Sequence, residues 1–325
     1  MKQARLAVTV GDINGIGPEI IVRALASERV RGICSPVVYG SRSVLEEAMK
    51  VSGVPLDAGL VSVAEVPGAP IIEPGLISGG AGAYAVAAIE QAVADCMNNL
   101  VDAVVTAPIS KRALELAGCP YPGHTEMLRD LTGADRVLMI LAGGGMRVCL
   151  VTTHVPLADV PARVTQEHLL EVLRLARASL LEDFSVDTPK LAVLGLNPHC
   201  GEEGRLGHEE TTVITPVLQR ARREGINVEG PFSSDGFFAR IGTRSYDMIV
   251  AMYHDQGLIP LKLLSGGEGV NITAGLPIVR TSPEHGTAFD IAWEGCASAA
   301  SMIRAAETAV QIVTARKSRH AEIET

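Results

Sequence analysis

Three histidines share one sequence context that suits the binding of a metal ion. His154, His199 and His254 each lie one to three residues past an apolar run that predicts a buried strand. They are 45 and 55 residues apart, which excludes a local H-x-x-x-H motif but allows a site built from neighbouring strand ends. A single histidine at a strand end is usually structural, whereas three in the same context favour ligation. Three imidazoles with open coordination positions suit a catalytic divalent metal that binds substrate oxygens.

The stretch that follows the last of these strands is unusually rich in polar side chains. It contains, in order, His254, Asp255, Lys262, Asn271, Arg280 and His285. In open α/β sheets, ligands bind at the carboxyl ends of the strands. Arginine suits a bidentate grip on an oxyanion, and lysine supplies a point charge. The stretch therefore predicts a site for a small anionic ligand, the alternative being a solvated loop with incidental charges.

Further candidate anion ligands lie near the starts of two predicted helices. The sequence Gly123-His124-Thr125-Glu126 is typical of a turn that opens a helix, where N–H groups and the helix dipole favour an anion. Thr125 also has the residue type of an N-terminal cap, and the two roles are compatible. Lys111 follows another predicted strand, so it is either a solvated charge at a helix start or a substrate contact.

Two glycine-rich segments have the composition of phosphate-binding loops. Residues 11–19, after the first predicted strand, could hold an anion or could form only a tight turn between strand and helix. Residues 80–85 match the G-x-G-x-x-A dinucleotide fingerprint, but no convincing strand precedes them. We therefore interpret them as the small-residue start of a helix over 84–98, and the sequence leaves the cofactor-binding residues unassigned.

The composition of the chain argues against several classes of protein. A chain of 325 residues, 47% of them hydrophobic, can bury one large or two medium cores. The net charge of −9 argues against a nucleic-acid or membrane-surface protein, and no apolar run approaches the ~18 residues of a transmembrane helix. Residues 1–5 lead into a strand rather than a signal peptide, and the six cysteines include no C-x-x-C pair. We expect a cytoplasmic protein without a disulfide framework.

Predicted strands alternate with predicted helices along the whole chain, and no internal repeat interrupts them. Such alternation is typical of α/β proteins, in which a mostly parallel sheet carries helices on its faces. We therefore predict an α/β fold with the candidate site at the carboxyl ends of its strands.

Several of these motifs are similar to those of one known family. The histidine motifs are T-T-H, N-P-H and Y-H-D-Q-G, the motif G-H-T-E contains His124, and a long run spans residues 258–293. Together they resemble the PdxA family of NAD-dependent dehydrogenases over nearly the whole chain. One departure is that family members usually carry Pro-Ala where this chain has Ile13-Asn14.

The resemblance implies a two-domain architecture of α/β/α layers, similar to isocitrate and isopropylmalate dehydrogenases. The first domain would comprise residues 1–128 and 272–325, and the second residues 129–271, with the active-site cleft between them. A homodimer whose active site is shared between subunits is also implied.

The resemblance further implies roles for individual residues. The metal ligands would be His154, His199 and His254. The substrate-binding residues would be His124, Thr125, Lys262, Asn271 and Arg280, with Lys111 as a further candidate. Among catalytic residues, Lys262 could also steer protons, while Asp235 and Asp255 are the nearest acidic residues that could orient a ligand histidine.

The implied reaction is the NAD-dependent oxidation, with decarboxylation, of a 4-phosphorylated hydroxy acid. One divalent metal (Zn, Mg, Mn or Co) would bind the substrate oxygens and lower the pKa of the hydroxyl. The run 258–293 looks more like the branch acting on 4-phospho-D-threonate or 4-phospho-D-erythronate, which would give dihydroxyacetone phosphate and CO₂. Alternatives are 4-hydroxythreonine-4-phosphate of pyridoxal phosphate biosynthesis, a non-phosphorylated cis-diol acid, and a metal-dependent binding protein without catalysis. We expect neither a nucleic-acid nor a membrane partner.

Overall fold

A computed structural model of the chain describes residues 3–55, 61–68, 71–243 and 245–323. Residues 1–2 and 324–325, at the ends of the predicted first domain, lie outside the described residues, as do residues 56–60 and 69–70 within it. The chain divides into two compact units. Unit 1 comprises Met1–Val137 with Val270–Thr314, and unit 2 comprises Leu138–Gly269 with Ala315–Thr325. Among the described residues, no helix is both long and apolar enough to cross a membrane.

The described residues contain eleven strands. In chain order these are β1 (Ala4–Thr9), β2 (Cys34–Gly40), β3 (Ser62–Glu65), β4 (Ala103–Thr106), β5 (Leu138–Gly143), β6 (Met146–Leu150), β7 (Leu191–Leu194), β8 (Val228–Phe232), β9 (Met248–Ala251), β10 (Val270–Ala274) and β11 (Val279–Pro283).

The α-helices of the described residues alternate with these strands. They are α1 (Gly17–Ala26), α2 (Glu28–Arg31), α3 (Arg42–Ser52), α4 (Gly79–Met97), α5 (Lys111–Leu116), α6 (His124–Thr132), α7 (Val160–Arg163), α8 (Gln166–Glu182), α9 (Thr215–Arg223), α10 (Ser234–Phe238), α11 (His254–Ser265) and α12 (Ala300–Ile323). The predicted α/β class is therefore confirmed.

In unit 1 the strands follow the order β3-β2-β1-β4-β11-β10. All neighbours are parallel except β10, which is antiparallel to β11. Helix α4 packs on β1 and β2, and its alanines and Ile89 fill the core on that face. Because β1, β4 and β11 run in the same direction, the loops that follow them leave the sheet at one edge.

In unit 2 the strands follow the order β5-β6-β9-β7-β8. Strands β5 and β6 form an antiparallel hairpin through Gly144 and Gly145, whose φ angles are +58° and +77°. Strands β6, β9, β7 and β8 are parallel. The segments that carry His154, His254 and His199 therefore all follow strands whose carboxyl ends share one edge of this sheet.

Two segments that the sequence predicts as a turn and a loop are helical. Residues 253–257, a Tyr-His-Asp-Gln-Gly turn by sequence, form the start of helix α11, and Lys262 lies in the last turn of that helix. Residues 233–236, a Ser-Ser-Asp-Gly loop by sequence that contains Asp235, form the start of the short helix α10. Gly257 explains part of this difference, because an added Cβ there would stand 2.6 Å from Val148 Cγ1. Only glycine lets α11 lie so close to the sheet.

The G-x-G-x-x-A segment, residues 80–85, lies inside helix α4 and not in a loop between a strand and a helix. Ser78 caps this helix, and its hydroxyl accepts a hydrogen bond from the Ala81 N–H at 3.2 Å. Gly82 is needed for packing, since an added Cβ would stand 2.2 Å from the Ala113 carbonyl oxygen. The interpretation of this segment as a helix start agrees with the structure.

Candidate active site

Two of the three predicted metal ligands lie side by side in unit 2. His154 follows β6, and His254 begins α11 directly after β9, the neighbouring strand. Their ring centroids are 5.7 Å apart and the rings are tilted by 44°. Both line a cavity of about 350 Å³, together with Thr153, Tyr253 and Asp255. The strand ends thus bring together two imidazoles at an accessible surface.

Asp255 orients one of these imidazoles. His254 Nδ1 lies 2.8 Å from Asp255 Oδ1, and because a carboxylate only accepts hydrogen bonds, Nδ1 carries the proton. In the neutral form of this tautomer the other ring nitrogen, Nε2, has the lone pair that a metal ion would need. A carboxylate that fixes the tautomer of a histidine in this way is the usual outer partner of a metal-binding imidazole.

His199 lies on an exposed turn after β7 and is not grouped with the other two histidines. Among the described residues, no three His, Cys, Asp or Glu side chains lie close enough together to hold a metal ion. Asp235 lies near His199: its pKa is lowered mainly by the Ser233 hydroxyl and the Gly236 N–H, and further by the charge of His199. The pair His154 and His254 fits a metal ion as a partial donor set, to which a third ligand must be added.

In unit 1, Arg280 is a buried cation whose described hydrogen-bond partners are neutral. Its side chain is on β11 and the residue is only 2% exposed. Nη1 donates to Thr273 Oγ1 at 2.9 Å, and Nη2 donates to Thr106 Oγ1 at 2.7 Å. Its Nε is buried without a hydrogen-bond partner, and burial lowers the pKa of the guanidinium to about 9. Such a cation is costly unless an anion compensates it, so the surroundings of Arg280 are suited to an anionic ligand.

Two further polar groups near Arg280 lack partners. His124 is the first residue of α6, and its Nε2 is buried without a hydrogen bond, as is Asn271 Oδ1 on β10. Burial, and then the charge of Arg280, hold the pKa of His124 well below its usual range. His124 is therefore neutral at pH 7 and adds no positive charge to the site. It can still donate a hydrogen bond, as can Thr125, the second residue of the helix.

The two lysines of the predicted substrate site lie in different units. Lys111 is the exposed first residue of α5, and its Cε lies 3.8 Å from the position of a Cβ added to Gly123. It therefore lies beside the start of α6 and His124. Lys262 is exposed on α11 in unit 2. Unit 1 thus brings together the Arg280, His124 and Lys111 regions without Lys262.

The loop after β1 contains a buried carboxyl group that sequence reasoning missed. Asp12 is fully buried, and its Oδ2 has no hydrogen-bond partner. Burial raises its pKa to about 6, although the Asn14 N–H at 3.0 Å from Oδ1 opposes this effect.

Asn14, which stands with Ile13 where family members usually carry Pro-Ala, has a structural role in the same loop. The Asn14 side chain accepts from the Glu73 N–H at 2.8 Å and donates to the Leu76 carbonyl at 2.9 Å.

A neighbouring loop of unit 1 contains two more buried polar atoms without partners, Glu284 Oε2 and His285 Nε2. This loop contacts the one after β1, because the Ile16 N–H donates to the Thr287 carbonyl at 3.0 Å. Together with Asp12 Oδ2, these two atoms are buried polar groups in the described part of unit 1 that could form hydrogen bonds with a polar cofactor. The signal in the sequence was the pair of glycine-rich and polar segments 11–19 and 283–290.

Comparison with known proteins identifies the family of this chain. The family model described as "Pyridoxal phosphate biosynthetic protein PdxA" matches residues 32–309. The chain belongs to the PdxA family. A PdxA-family relative from Geobacter metallireducens, named 4-hydroxythreonine-4-phosphate dehydrogenase, is 45% identical over 92% of this chain and 92% of its own length. The predicted family and the predicted enzyme class, a dehydrogenase, are thereby confirmed.

Solved structures of PdxA-family enzymes are similar to this chain in fold. A 4-hydroxythreonine-4-phosphate dehydrogenase from Klebsiella pneumoniae has a TM-score of 0.85 at 39% identity, covering 96% of this chain and 98% of that one. A terephthalate 1,2-cis-dihydrodiol dehydrogenase from Burkholderia xenovorans is more distant, with a TM-score of 0.64 at 31% identity over 94% and 98%. The fold therefore carries more than one dehydrogenase specificity.

Proposed function

We propose that this PdxA-family chain is an NAD-dependent, metal-assisted dehydrogenase of a 4-phosphorylated, four-carbon hydroxy acid. The observation that carries the proposal is Arg280, a buried guanidinium that donates to two neutral hydroxyls and whose Nε–H has no partner. A phosphate would supply the missing negative charge and could accept hydrogen bonds from Arg280, His124 and the N-terminal N–H groups of α6.

Among phosphorylated substrates, 4-hydroxythreonine-4-phosphate is the better supported. The close relatives described above are named for it, which favours this alternative over the 4-phospho-D-threonate or 4-phospho-D-erythronate that the run 258–293 suggests. The two kinds of substrate differ at C2, which carries an amine in one and a hydroxyl in the other. Phosphate binding by Arg280 is common to both.

The metal would be held by His154 and His254 of one protomer, with His199 of a second protomer completing the set. A divalent ion bound there would polarise the hydroxyl that is oxidised and the adjacent carboxylate. Asp255 keeps His254 in the tautomer that presents Nε2 to the ion. Lys262 and Asp235 remain candidates for proton transfer and for orienting His199. NAD, as the hydride acceptor, would supply the redox chemistry.

A cis-diol acid is the second candidate substrate, since a relative at 31% identity is named for a cis-dihydrodiol. The two candidates differ in what they offer to Arg280: a cis-diol acid lacks the phosphate. Loss of two charge-assisted hydrogen bonds, each worth ~1.5–3 kcal/mol, would cost roughly 100-fold or more in kcat/KM.

The test is NADH formation with added Zn²⁺, Mg²⁺, Mn²⁺ or Co²⁺ on matched four-carbon acids. The set comprises 4-hydroxythreonine and threonate, each with and without the 4-phosphate. We expect turnover that requires metal and NAD⁺, and a preference for the phosphorylated members. Equal efficiency on both members of each pair would contradict the phosphate site, and binding of metal without any NADH formation would favour a binding protein.

A further inference from the structure

Glu210 is a buried carboxylate that holds the backbone just before His199. Its Oε1 accepts hydrogen bonds from the N–H groups of Leu196 and Asn197, each at 2.7 Å, and its Oε2 accepts from the Asn197 side-chain amide at 2.9 Å. Glu210 is only 3% exposed and begins a π-helical turn. Hydrogen bonds to an ionised acceptor are about twice as strong as neutral ones. One side chain therefore fixes two consecutive peptide groups of the segment that leads to His199.

The turn beyond this segment has an unfavourable backbone conformation. Residues 199–203 all have positive φ, between 43° and 77°, and only Gly201 among them is a glycine. Left-handed backbone costs roughly 1–2 kcal/mol for each residue with a Cβ. Gly201 is tightly enclosed, since an added Cβ would stand 2.8 Å from both Glu210 Oε2 and the Gly207 carbonyl oxygen. A turn of this kind persists only where its surroundings fix it.

Gln256 holds the same segment from the other side. Its Nε2 donates to the Gly195 carbonyl at 2.6 Å and to Ser234 Oγ at 2.8 Å, while its Oε1 accepts from the Met252 N–H at 2.6 Å. Gln256 is buried in the first turn of α11, two residues after His254. It therefore ties the base of the His199 turn to the end of the strand that precedes His254.

We propose that Glu210 is a positioning residue for His199. Its carboxylate holds the left-handed turn 199–203 in the conformation that presents the imidazole, and Gln256 fixes the base of that turn on the sheet. Glu210 acts through the backbone and not as a ligand. The inference rests on the proposed function only in taking His199 as a metal ligand.

The test compares Glu210→Gln with Glu209→Gln in the full chain. Glu209 is a matched control because its carboxylate also accepts from Asn197 Nδ2, at 2.7 Å, but not from the two backbone N–H groups. Hydrogen–deuterium exchange of residues 198–206 is measured in chelator-treated protein, and Zn²⁺ affinity is measured by titration. In Glu210→Gln we expect exchange faster by ~10–100-fold, which corresponds to the loss of one to two charged hydrogen bonds. Zn²⁺ affinity should fall by a similar ~10–100-fold.

Glu209→Gln should stay within about twofold of the wild type in both measurements. Unchanged exchange in Glu210→Gln would overturn the proposal. So would faster exchange with unchanged Zn²⁺ affinity, because Glu210 would then stabilise the turn without positioning a ligand. If Glu210→Gln does not fold, Glu210→Asp decides the matter. It keeps the negative charge but withdraws the carboxylate from the two backbone N–H groups, so it should change exchange and Zn²⁺ affinity in the same directions.

His199→Ala separates this inference from the proposed function. If His199→Ala binds Zn²⁺ as tightly as the wild type, the proposed metal site is wrong and the positioning role falls with it. The exchange measurement would still show whether Glu210 stabilises the turn 199–203. If His199→Ala loses Zn²⁺ while Glu210→Gln does not, the metal site stands and the positioning role is refuted.

Discussion

Arg280 shows how one buried side chain can determine the kind of ligand that a pocket accepts. Its two hydrogen-bonded partners are hydroxyls, so no described partner balances its charge. Lys111 is exposed, and His124 is neutral because of burial and the charge of Arg280. If unit 1 binds an anionic ligand as proposed, we therefore expect Arg280 to contribute most of the compensating positive charge.

We predict that Arg280→Ala removes most of the preference for phosphorylated substrates. Efficiency on the phosphorylated acid should fall roughly 100-fold, whereas efficiency on the unphosphorylated acid should change little, because at least two charge-assisted hydrogen bonds are lost. Steady-state kinetics on both acids measures this. Arg129→Ala, an exposed arginine of α6 paired with Asp130, is the control and should leave both efficiencies unchanged. An equal loss on both acids would show that Arg280 is structural.

Asp12 gives a pH-dependent prediction about stability. Its folded-state pKa is raised from 3.8 to about 6 by burial. Below the lower value the carboxyl is protonated in both states. Between the two values the unfolded chain releases a proton that the folded chain keeps, so stability falls as pH rises. Asp12→Asn should remove this fall and raise the free energy of unfolding at pH 7 by ~1–3 kcal/mol.

Urea unfolding between about pH 4 and pH 8 measures the Asp12 effect. The difference between Asp12→Asn and wild type should disappear at the acid end. Asp290→Asn, at an exposed position, should change the free energy of unfolding by less than ~0.5 kcal/mol at every pH. A wild-type stability that does not fall between pH 4 and 6 relative to Asp12→Asn would contradict the assigned pKa.

At the scale of elements, helix α4 shows why a nucleotide-loop motif can be a packing motif. Gly80 and Gly82 are both in its first turn, yet their surroundings differ. An added Cβ at Gly80 has no heavy atom within 4 Å, whereas one at Gly82 would overlap the Ala113 carbonyl oxygen at 2.2 Å. The glycine at position 82 lets α4 and α5 approach closely.

This difference predicts opposite effects of two alanine substitutions in one helix. Gly80→Ala should stabilise the protein by up to ~1 kcal/mol, because alanine has the higher helix propensity. Gly82→Ala should destabilise it by ~1–3 kcal/mol, because it overpacks the contact with α5. Thermal or urea unfolding measures both changes. Weaker NAD⁺ binding in both variants without a change in stability would instead favour a nucleotide loop.

For the whole molecule, the question is what completes the candidate metal site, since the described residues of one chain supply only part of it. His154 and His254 lie together, but the described residues contain no group of three metal-binding side chains. Symmetric dimers are the commonest oligomers, and in such a dimer a ligand from each protomer can reach the other. We expect a homodimer in which His199 completes the site of its partner.

Complementation between two inactive variants tests the shared site. His154→Ala and His199→Ala should each lower metal content and abolish turnover while the fold stays intact. When the two are unfolded together and refolded, a mixed dimer would contain one intact site, so about a quarter of wild-type activity and metal content should return. If all three ligands come from one chain, mixing restores nothing. A fully active monomer at assay concentration would also contradict the shared site.

The α/β class, the family and the positions of many elements could be read from the amino-acid sequence. The reason is that these depend on local patterns: apolar runs predict strands such as β9, and glycine turns and caps mark their ends. Apolar runs at 137–142 and 147–152 around three glycines likewise predict the hairpin of β5 and β6. The amphipathic pattern over 298–314 predicts a closing helix, whereas α12 continues to Ile323.

Which polar residues are buried, and what surrounds them, depends on the folded chain and could not be predicted from local patterns. Nothing local distinguishes Arg280, buried between two threonines, from the exposed Lys262, or marks Asp12 as a buried carboxyl with a raised pKa. Glu210 ends the charged run 202–210, a pattern typical of a solvated surface, yet it accepts hydrogen bonds from two peptide groups that lie thirteen and fourteen residues earlier. Burial and hydrogen bonding depend on neighbours that are distant in the chain, and they determine the charge and the position of each group in the site.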